Sequence, residues 1–198
     1  MKQMPLSNLA GKRILLASHS PRRRELIAML GLDFSIAEPI EVDESYPADM
    51  PADTVAEYIS RKKAEAYAAT LTADTILITA DTIVLVDGEI LGKPHSEASA
   101  KEMLRKLSGK SHKVITGVTL STVDAIQSFS AVTTVNFDNL SDKEIEYYIE
   151  NYHPFDKAGA YGIQEWIGAA GIKGIEGSYY NVMGLPVHQL YKFLSTIS

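Results

Sequence analysis

The sequence predicts an α/β fold, with a mixed elongated sheet flanked by helices, and three observations lead to this expectation. Apolar, β-branched runs typical of strands alternate along the chain with segments that begin on helix-capping residues. No internal repeat, low-complexity tract or obvious linker interrupts this alternation. The length of 198 residues fits one domain, since domains commonly contain ~100–200 residues. We therefore expect residues 1–198 to form one continuous domain.

The first predicted unit is a strand, a tight turn and a helix. The apolar run at 14–17 indicates a buried strand. Ser20 then provides an N-cap, Pro21 suits the first helical position, and Gly31 is expected to stop the helix. The helix is thus expected to start directly after the turn that leaves the strand.

A second helix is expected to begin at Thr54, because Thr54 and Glu57 have the spacing of a capping box. Apolar residues recur after it at helical spacing, so one side of this helix should face the core. The residues expected on that side are Val55, Ile59, Lys63 and Ala66.

The middle of the chain indicates strands. Two β-branched segments, 75–80 and 82–86, are expected to meet at Asp81, which interrupts an otherwise apolar stretch. Asp87-Gly88 is a strong signal for a hairpin turn after them.

A helix capped by Ser96 should follow and reach Leu107. Residues 113–121 and 126–137 then predict two further strands.

The C-terminal part should contain two more helices. Ser141 and Glu144 form a capping-box pattern for a helix that ends near Asn151. A glycine-rich stretch follows, and Pro186 is expected to open a last helix. The core side of that helix should carry Val187, Leu190 and Leu194.

Composition excludes several classes of function. With 25 acidic and 19 basic side chains, the net charge of −6 disfavours non-specific binding to nucleic acid. The absence of cysteine excludes disulfides, thiolate nucleophiles and thiolate metal sites. No apolar run approaches ~20 residues, and residues 1–10 lack the pattern of a signal peptide. We therefore expect a cytoplasmic protein without membrane or nucleic-acid partners.

The start of the first helix is the strongest candidate for an anion site. Arg22, Arg23 and Arg24 oppose the helix macrodipole there, each at a cost of ~0.3–1 kcal/mol if exposed. Free backbone N–H groups and guanidinium groups together bind phosphate well, and Ser18 and Ser20 add donors. The alternative is a solvated basic surface that happens to begin a helix.

Asp81 is the candidate catalytic carboxylate. A carboxylate between apolar strands is costly to bury unless it is paired, metal-bound or at the edge of a cleft. The alternative is a turn aspartate that caps backbone groups. Lys93, in a rigid turn after the hairpin, favours the functional interpretation, although by itself it would be an ordinary surface lysine.

A second acidic position, Asp43-Glu44, could supply oxygen ligands for a hard divalent cation such as Mg²⁺. Acidic loops are more often simply solvated. The histidines lack metal-ligand spacing and no glycine-lysine P-loop occurs, so zinc and P-loop ATPase sites are not expected.

Several blocks, in order along nearly the whole chain, resemble the Maf family of nucleotide pyrophosphatases. The resemblance implies the two-lobed fold of the Maf and ITPase type and the hydrolysis of a nucleoside triphosphate to its monophosphate and pyrophosphate, a house-cleaning activity. The blocks are Leu16-Ala17-Ser18-His19-Ser20-Pro21-Arg22-Arg23, Ala80-Asp81-Thr82, Gly92-Lys93-Pro94, Leu107-Ser108-Gly109 with His112, Thr116-Gly117-Val118, Asp156-Lys157-Ala158-Gly159-Ala160-Tyr161-Gly162-Ile163-Gln164 and Gly184-Leu185-Pro186.

The resemblance also implies roles for single residues. Asp81 corresponds to the proposed general base. Glu44, or Asp43 if the alignment shifts by one residue, would join Asp81 in holding Mg²⁺ or Mn²⁺. A homodimer is implied as well. The implied substrate-binding residues are Ser18, Arg22, Arg23, Lys63 and Lys93.

The branch of the family that acts on dTTP and UTP is marked by residues corresponding here to Arg22, Thr82 and Gln164. A glutamine amide offers one donor and one acceptor to the N3–H and carbonyl groups of uracil or thymine. The sequence departs from the family at Glu165-Trp166, where a glycine commonly follows the glutamine, and Trp166 is expected to reshape the base pocket.

Two further interpretations stay open. The same arginine turn would serve a nucleotide-sensing or cell-division regulatory protein that binds triphosphates without turnover. The enzyme could also act on a modified nucleotide, such as a methylated guanosine triphosphate.

Overall fold

The computed structural model describes residues 6–197, and in them β-branched and apolar segments form one seven-stranded mixed sheet. The sheet has the order β2-β1-β3-β5-β6-β7, and β4 pairs with part of β3. β1 runs parallel to β2 and β3, and the other pairings are antiparallel. The strands are β1 (Arg13–Leu16), β2 (Phe34–Ile36), β3 (Thr75–Val86), β4 (Glu89–Leu91), β5 (Ser111–Ser121), β6 (Ile126–Phe137) and β7 (Ile172–Glu176).

Helices flank this sheet, as the sequence predicts. They are α1 (Pro21–Ala28), α2 (Val55–Ala66), α3 (Glu97–Leu107), α4 (Asp142–Tyr152), α5 (Trp166–Gly171), α6 (Tyr179–Met183) and α7 (Val187–Leu194). None of the helices in residues 6–197 is long and apolar enough to cross a membrane.

The pairing of β3 creates an opening in the sheet. On one edge, β3 pairs with β5 along nearly its whole length. On the other edge, β1 pairs with it as far as Ile78, and β4 pairs with it only from Val84 onward. Between these two partners, the part of β3 near Asp81 has no strand on this edge among residues 6–197, and only β5 pairs with it on the opposite edge. A cleft can therefore reach the middle of the sheet.

Two large apolar cores lie toward opposite ends of the long strands and give the fold its two lobes. One core joins β1, α1 and α7 to the first half of β3, and the other joins α3, α4 and α5 to its second half. The first includes Leu16, Leu26, Ile76, Ile78, Val118 and Leu190, and the second includes Val84, Leu104, Val114, Phe137 and Tyr148.

Helix α2 packs very closely on the other face of the sheet, against β3 and β5. A Cβ at Gly117 would lie 2.3 Å from the backbone nitrogen of Glu57 and 2.4 Å from the carbonyl carbon of Ala56. Only a glycine in β5 leaves room for the α2 backbone at this point. The close approach positions the side chains of α2 near the open edge of β3.

The prediction of two segments that meet at Asp81 is wrong, because β3 is one continuous strand of 12 residues. Asp81 lies in the middle of that strand and pairs in register with Gly117 of β5. It is not a turn residue, so the alternative of a turn aspartate is excluded too. The β-branched residues on both sides favour extended backbone, and a cation from α2 compensates the carboxylate.

The predicted capping box at Thr54 is also wrong. Residues 52–54 form a 3₁₀ turn that runs into α2, so Thr54 already has helical backbone angles. Its hydroxyl donates to the carbonyl of Pro51, and the carboxylate of Glu57 accepts a hydrogen bond from Ser130. On the same helix Ala66 is exposed, whereas Ala64 is buried.

The other helix signals are confirmed. Ser20 caps α1 through the backbone N–H of Arg23, and Ser96 and Ser141 each form capping boxes. The Asp87-Gly88 hairpin joins β3 to β4. The glycine-rich stretch, for which the sequence predicted no element, contains α5, β7 and α6.

Candidate active site

A cavity of about 460 Å³ lies at the open edge of β3. β1 leads into the Ser18–Ser20 turn on one side of this edge, and β4 leads into the loop of Lys93 on the other. Helix α2 contributes Lys63. Nearly all of the predicted site residues therefore come together although they are distant in sequence. Those that line the cavity are Arg22, Arg23, Glu44, Lys63, Asp81, Thr82, Lys93 and Gln164.

The guanidinium of Arg23 is held by three hydrogen bonds. Its Nε donates to the carbonyl of Gly184 at 2.8 Å, Nη2 donates to the hydroxyl of Thr82 at 3.0 Å, and Nη1 donates to Ser18 Oγ at 3.4 Å. Desolvation lowers the pKa of Arg23, while the charge of Asp81 partly opposes this effect. No carboxylate within residues 6–197 lies within 4 Å of its guanidinium. Arg23 is thus held by neutral groups, and its charge has no direct carboxylate partner in these residues.

Thr82 has a fixed hydrogen-bond environment. Its hydroxyl accepts from Arg23 and lies 2.9 Å from the hydroxyl of Thr116, which in turn donates to the backbone carbonyl of Asn181. Because the Thr116 proton is already used, Thr82 is the donor in the pair. The orientation of Arg23 is therefore connected to the buried core.

Arg22 has a different partner. Its Nη1 lies 2.8 Å from Asp156 Oδ2, and the other oxygen of Asp156 lies 2.8 Å from Lys157 Nζ. Desolvation would raise the pKa of Asp156, but hydrogen bonds from Lys157 and Arg22 outweigh it and lower that pKa to about 2. Arg24 is exposed and does not line the cavity. The three consecutive arginines thus have three different environments.

Lys63 joins the two carboxylates that the sequence singled out. Its Nζ lies 2.7 Å from Asp81 Oδ1 and 2.9 Å from Glu44 Oε1. Asp43, the alternative acidic residue, pairs with Lys62 and does not line the cavity. Glu44 is therefore the acidic loop residue closer to the candidate catalytic group.

Lys93 and Gln164 are exposed and face the cavity. Lys93 forms no ion pair within residues 6–197, and no side-chain hydrogen bond of Gln164 occurs there. The loop of Lys93 is fixed through its backbone, because the N–H of Gly159 donates to the carbonyl of Gly92 at 3.0 Å. Both side chains remain free to contact a ligand.

Three further residues of the site have no predicted role, although they lie in the blocks that resemble the family: Asp156, Lys157 and Thr116. Lys157 is buried and lines the cavity beside Asp156. The ion pair between Arg22 and Asp156 spans 134 positions of the chain, so no local sequence pattern predicts it. Only the resemblance of the whole block to the family pointed to this segment. Trp166, in contrast, packs against Tyr147 with ring centroids 4.9 Å apart and does not line the cavity, so the expectation that it reshapes the pocket is wrong.

The electrostatics of the cavity differ from those of the whole protein. Five cationic side chains line it against three carboxylates, whereas the chain as a whole is acidic. Within residues 6–197, no group of three or more His, Cys, Asp or Glu could hold a metal ion. The site therefore offers concentrated positive charge, one central carboxylate and the nearby Glu44.

The fold and the site define an α/β protein with a cation-lined cleft. A family model described as Maf-like protein matches residues 13–197, and the chain belongs to the Maf family. This confirms the resemblance found in the sequence blocks.

Curated relatives match nearly the whole chain. The chain is 55% identical over 186 residues to a dTTP/UTP pyrophosphatase of Bacteroides thetaiotaomicron, covering 94% of this chain and 96% of the relative. It is 55% identical over 192 residues to the dTTP/UTP pyrophosphatase of Phocaeicola vulgatus, covering 97% and 100%. It is 51% identical over 191 residues to that of Porphyromonas gingivalis, covering 96% of each chain.

Similar solved structures are more distant in sequence. The Ham1 protein of Staphylococcus aureus has 18% identity and a TM-score of 0.48, covering 64% of this chain and 72% of that one. A HAM1 protein from Coxiella burnetii has 14% identity and a TM-score of 0.47, covering 94% and 100%.

Proposed function

We propose that the protein hydrolyses nucleoside triphosphates, with dTTP and UTP as its substrates, to the monophosphate and pyrophosphate. The observation that carries the proposal is the carboxylate of Asp81 within a cavity lined by five cations. A pure anion-binding site gains nothing from a carboxylate close to a polyanion. The names of relatives at 50–55% identity support the same activity and the same substrates.

In this proposal the triphosphate binds to the cations on both sides of the cleft. Arg23 and Arg22 approach from the helix α1 side and Lys93 from the opposite side. Charge-assisted hydrogen bonds from guanidinium groups to phosphate are stronger than neutral ones. The arginines would also hold the negative charge that pyrophosphate carries away as it leaves.

Asp81 would act as the general base. It accepts a proton from a water molecule, and the water oxygen forms a bond to the α-phosphorus. The bond from the α-phosphorus to the oxygen that bridges to the β-phosphorus breaks in line with this attack. Lys63, with its Nζ 2.7 Å from Asp81 Oδ1, keeps the carboxylate oriented.

The acidic pair also fits a divalent cation. Glu44 and Asp81 are both in contact with one ammonium group, so their oxygens are close enough to share a positive charge. Carboxylate oxygens suit Mg²⁺ and Mn²⁺, which commonly bind through one or two carboxylates together with substrate phosphates. A bound cation would supply charge neutralisation at the phosphate oxygens.

Gln164 would recognise the base. Uracil and thymine present an N3–H donor between two carbonyl acceptors, and a glutamine amide can pair with two adjacent groups. Its position in the cavity wall, with no side-chain partner among residues 6–197, supports this role. Arg22 and Thr82 complete the proposed specificity set.

The proposal is tested by pyrophosphate release from a panel of nucleoside triphosphates, including methylated ones, with and without Mg²⁺. We expect Asp81→Asn to keep nucleotide binding and to lose ~10²–10⁴-fold in kcat, the usual contribution of a general base. Asp124→Asn, on the exposed turn between β5 and β6, is the matched control. Near-wild-type turnover in Asp81→Asn would contradict the role of Asp81 as the general base.

The same panel separates the remaining alternatives. Binding without release of pyrophosphate from any nucleotide would favour a sensing or regulatory protein. Release from a methylated guanosine triphosphate alone would move the substrate to a modified nucleotide. We also propose a cytoplasmic homodimer without nucleic-acid partners, for which light scattering and fractionation are the direct measurements.

A further inference from the structure

The turn that carries Gln164 folds around the side chain of Glu165. The backbone N–H of Glu165 donates to the carbonyl of Gly162 at 3.1 Å, which closes the turn. The carboxylate of Glu165 is only 17% exposed, and its Oε1 lies 3.1 Å from Lys157 Nζ. Its Oε2 accepts a hydrogen bond from the hydroxyl of Tyr148 on α4. Glu165 does not line the cavity itself.

Tyr148 holds the other end of the same turn. Its hydroxyl accepts the backbone N–H of Gly162 at 3.0 Å while it donates to Glu165. Tyr148 is fully buried, and burial together with the hydrogen bond to Glu165 raises the pKa of its hydroxyl. The hydroxyl therefore stays protonated and connects both ends of the turn at once.

The packing around this turn leaves little room for change. A Cβ at Gly162 would lie 3.0 Å from Glu165 Cδ and 3.0 Å from Lys157 Cε. The carboxylate and the lysine stem thus fill the space on that side of the backbone. Gln164 lies between the two anchored residues, so the backbone that carries its amide is fixed from both sides.

A fixed backbone matters for base selection because an amide can pair in two ways. A loosely held glutamine could turn either its oxygen or its NH₂ group toward the ring, and so pair with uracil or with cytosine. The amide can still rotate about its own side-chain bond, but an anchored backbone fixes the distance and angle at which the amide meets the base, and a loose backbone does not. Discrimination then depends on the residues that hold the turn as well as on Gln164.

We propose that Glu165, acting with Tyr148, is a specificity-determining positioning residue that fixes the Gln164 turn for uracil and thymine nucleotides. This inference rests on the proposed function. This chain departs from the family pattern at Glu165 and Trp166. The inference gives the effect on the base site to Glu165, because Trp166 packs against Tyr147 and does not line the cavity.

The test compares Glu165→Gln and Tyr148→Phe with wild type in steady-state hydrolysis of UTP and CTP. Inorganic tripolyphosphate, which has no base, serves as a competitive inhibitor whose inhibition constant measures binding to the phosphate-binding cations alone. Matched controls on α4 are Glu150→Gln, an exposed carboxylate, and Tyr152→Phe, whose hydroxyl has no hydrogen bond within residues 6–197.

We expect the ratio of kcat/KM for UTP to that for CTP to fall about tenfold in both variants, the factor that corresponds to about one hydrogen bond. The fall should come from a higher KM for UTP, with the inhibition constant of tripolyphosphate unchanged. The controls should match wild type. Circular dichroism melting shows which variants are folded, and a folded Glu165→Gln suffices if Tyr148→Phe does not fold.

Three results would overturn the inference. The first is an unchanged UTP to CTP ratio in the folded variants. The second is a parallel loss of tripolyphosphate affinity, which would mean general damage to the site. The third is failure of both variants to fold, which would mean that the contacts of Glu165 and Tyr148 stabilise the core and do not act in substrate selection. Absence of pyrophosphate release by the wild type is a separate result, which contradicts the proposed function itself.

Discussion

His112 makes the stability of this protein depend on pH near neutrality. Its side chain is buried between the rings of Phe137 and Tyr161, and its Nε2 lies 2.7 Å from the Tyr161 hydroxyl. Its Nδ1 has no hydrogen-bond partner in the described residues. Desolvation therefore lowers the pKa of His112 from 6.5 to about 4.

The size of the effect follows from the two pKa values. Between pH 6.5 and pH 4 the unfolded chain binds a proton at this position and the folded protein does not, so stability falls as the pH falls. A difference of about 2.5 pKa units, at 1.36 kcal/mol per unit, corresponds to about 3 kcal/mol. The loss begins near pH 6.5 and is complete once the folded protein is protonated too, near pH 4.

The assay is urea denaturation at pH 7.5, 6.5, 5.5 and 5.0, followed by the fluorescence of the single tryptophan, Trp166, which packs against the same apolar core. His112→Gln should lose less stability than wild type between pH 7.5 and pH 5.0. His188→Gln, an exposed residue of α7, should keep the wild-type slope. Carboxylates contribute equally to all three proteins, so parallel pH slopes for wild type and His112→Gln would refute the reasoning.

Two further predictions concern the cavity and the helix behind it. Arg23→Met should lower kcat/KM by ~10²–10³-fold, the usual contribution of one charge-stabilising group. It should change the free energy of unfolding by less than about 2 kcal/mol, since a desolvated cation is replaced by an apolar side chain. A loss above about 4 kcal/mol in urea denaturation would contradict this. Gly117→Ala should push α2 off the sheet, destabilise the fold by about 1–3 kcal/mol and separate Lys63 from Asp81, with loss of pyrophosphate release. Gly174→Ala, which has open space around it, is the control, and equal behaviour of the two alanine variants would contradict the packing argument.

Local sequence signals predict several helix caps and a hairpin turn correctly, because the structure at these places depends on a few neighbouring residues. The Ser20, Ser96 and Ser141 caps and the Asp87-Gly88 hairpin depend only on neighbouring residues, and they were predicted correctly. The glycine-rich stretch gives no local signal for α5, β7 and α6, because its glycines serve close packing as well as turns. At Gly168, inside α5, a Cβ would lie 1.7 Å from the carbonyl oxygen of Ile163.

The candidate site could be predicted by residue type but not by partner. The sequence favoured a cleft or metal for Asp81, yet its observed partner Lys63 comes from another element 18 positions away. The pairing of Arg22 with Asp156 spans an even longer separation. Such partners depend on the course of the whole chain, which capping and periodicity do not reveal.

The differences among these partners determine what each cation can contribute to binding an anion. A cation adds only what it gains beyond the interactions it already has in the free protein. Arg22 must exchange a carboxylate for the ligand and Lys63 is already paired with two carboxylates, so much of their attraction to a triphosphate is offset. Arg23 has only neutral partners, its desolvation cost is already present in the free protein, and Lys93 has no ion pair among residues 6–197. Under the proposed function, Arg23 and Lys93 would therefore supply most of the net phosphate affinity. Arg22 would instead couple binding to the release of Asp156, and Lys63 would stay with Asp81 and Glu44.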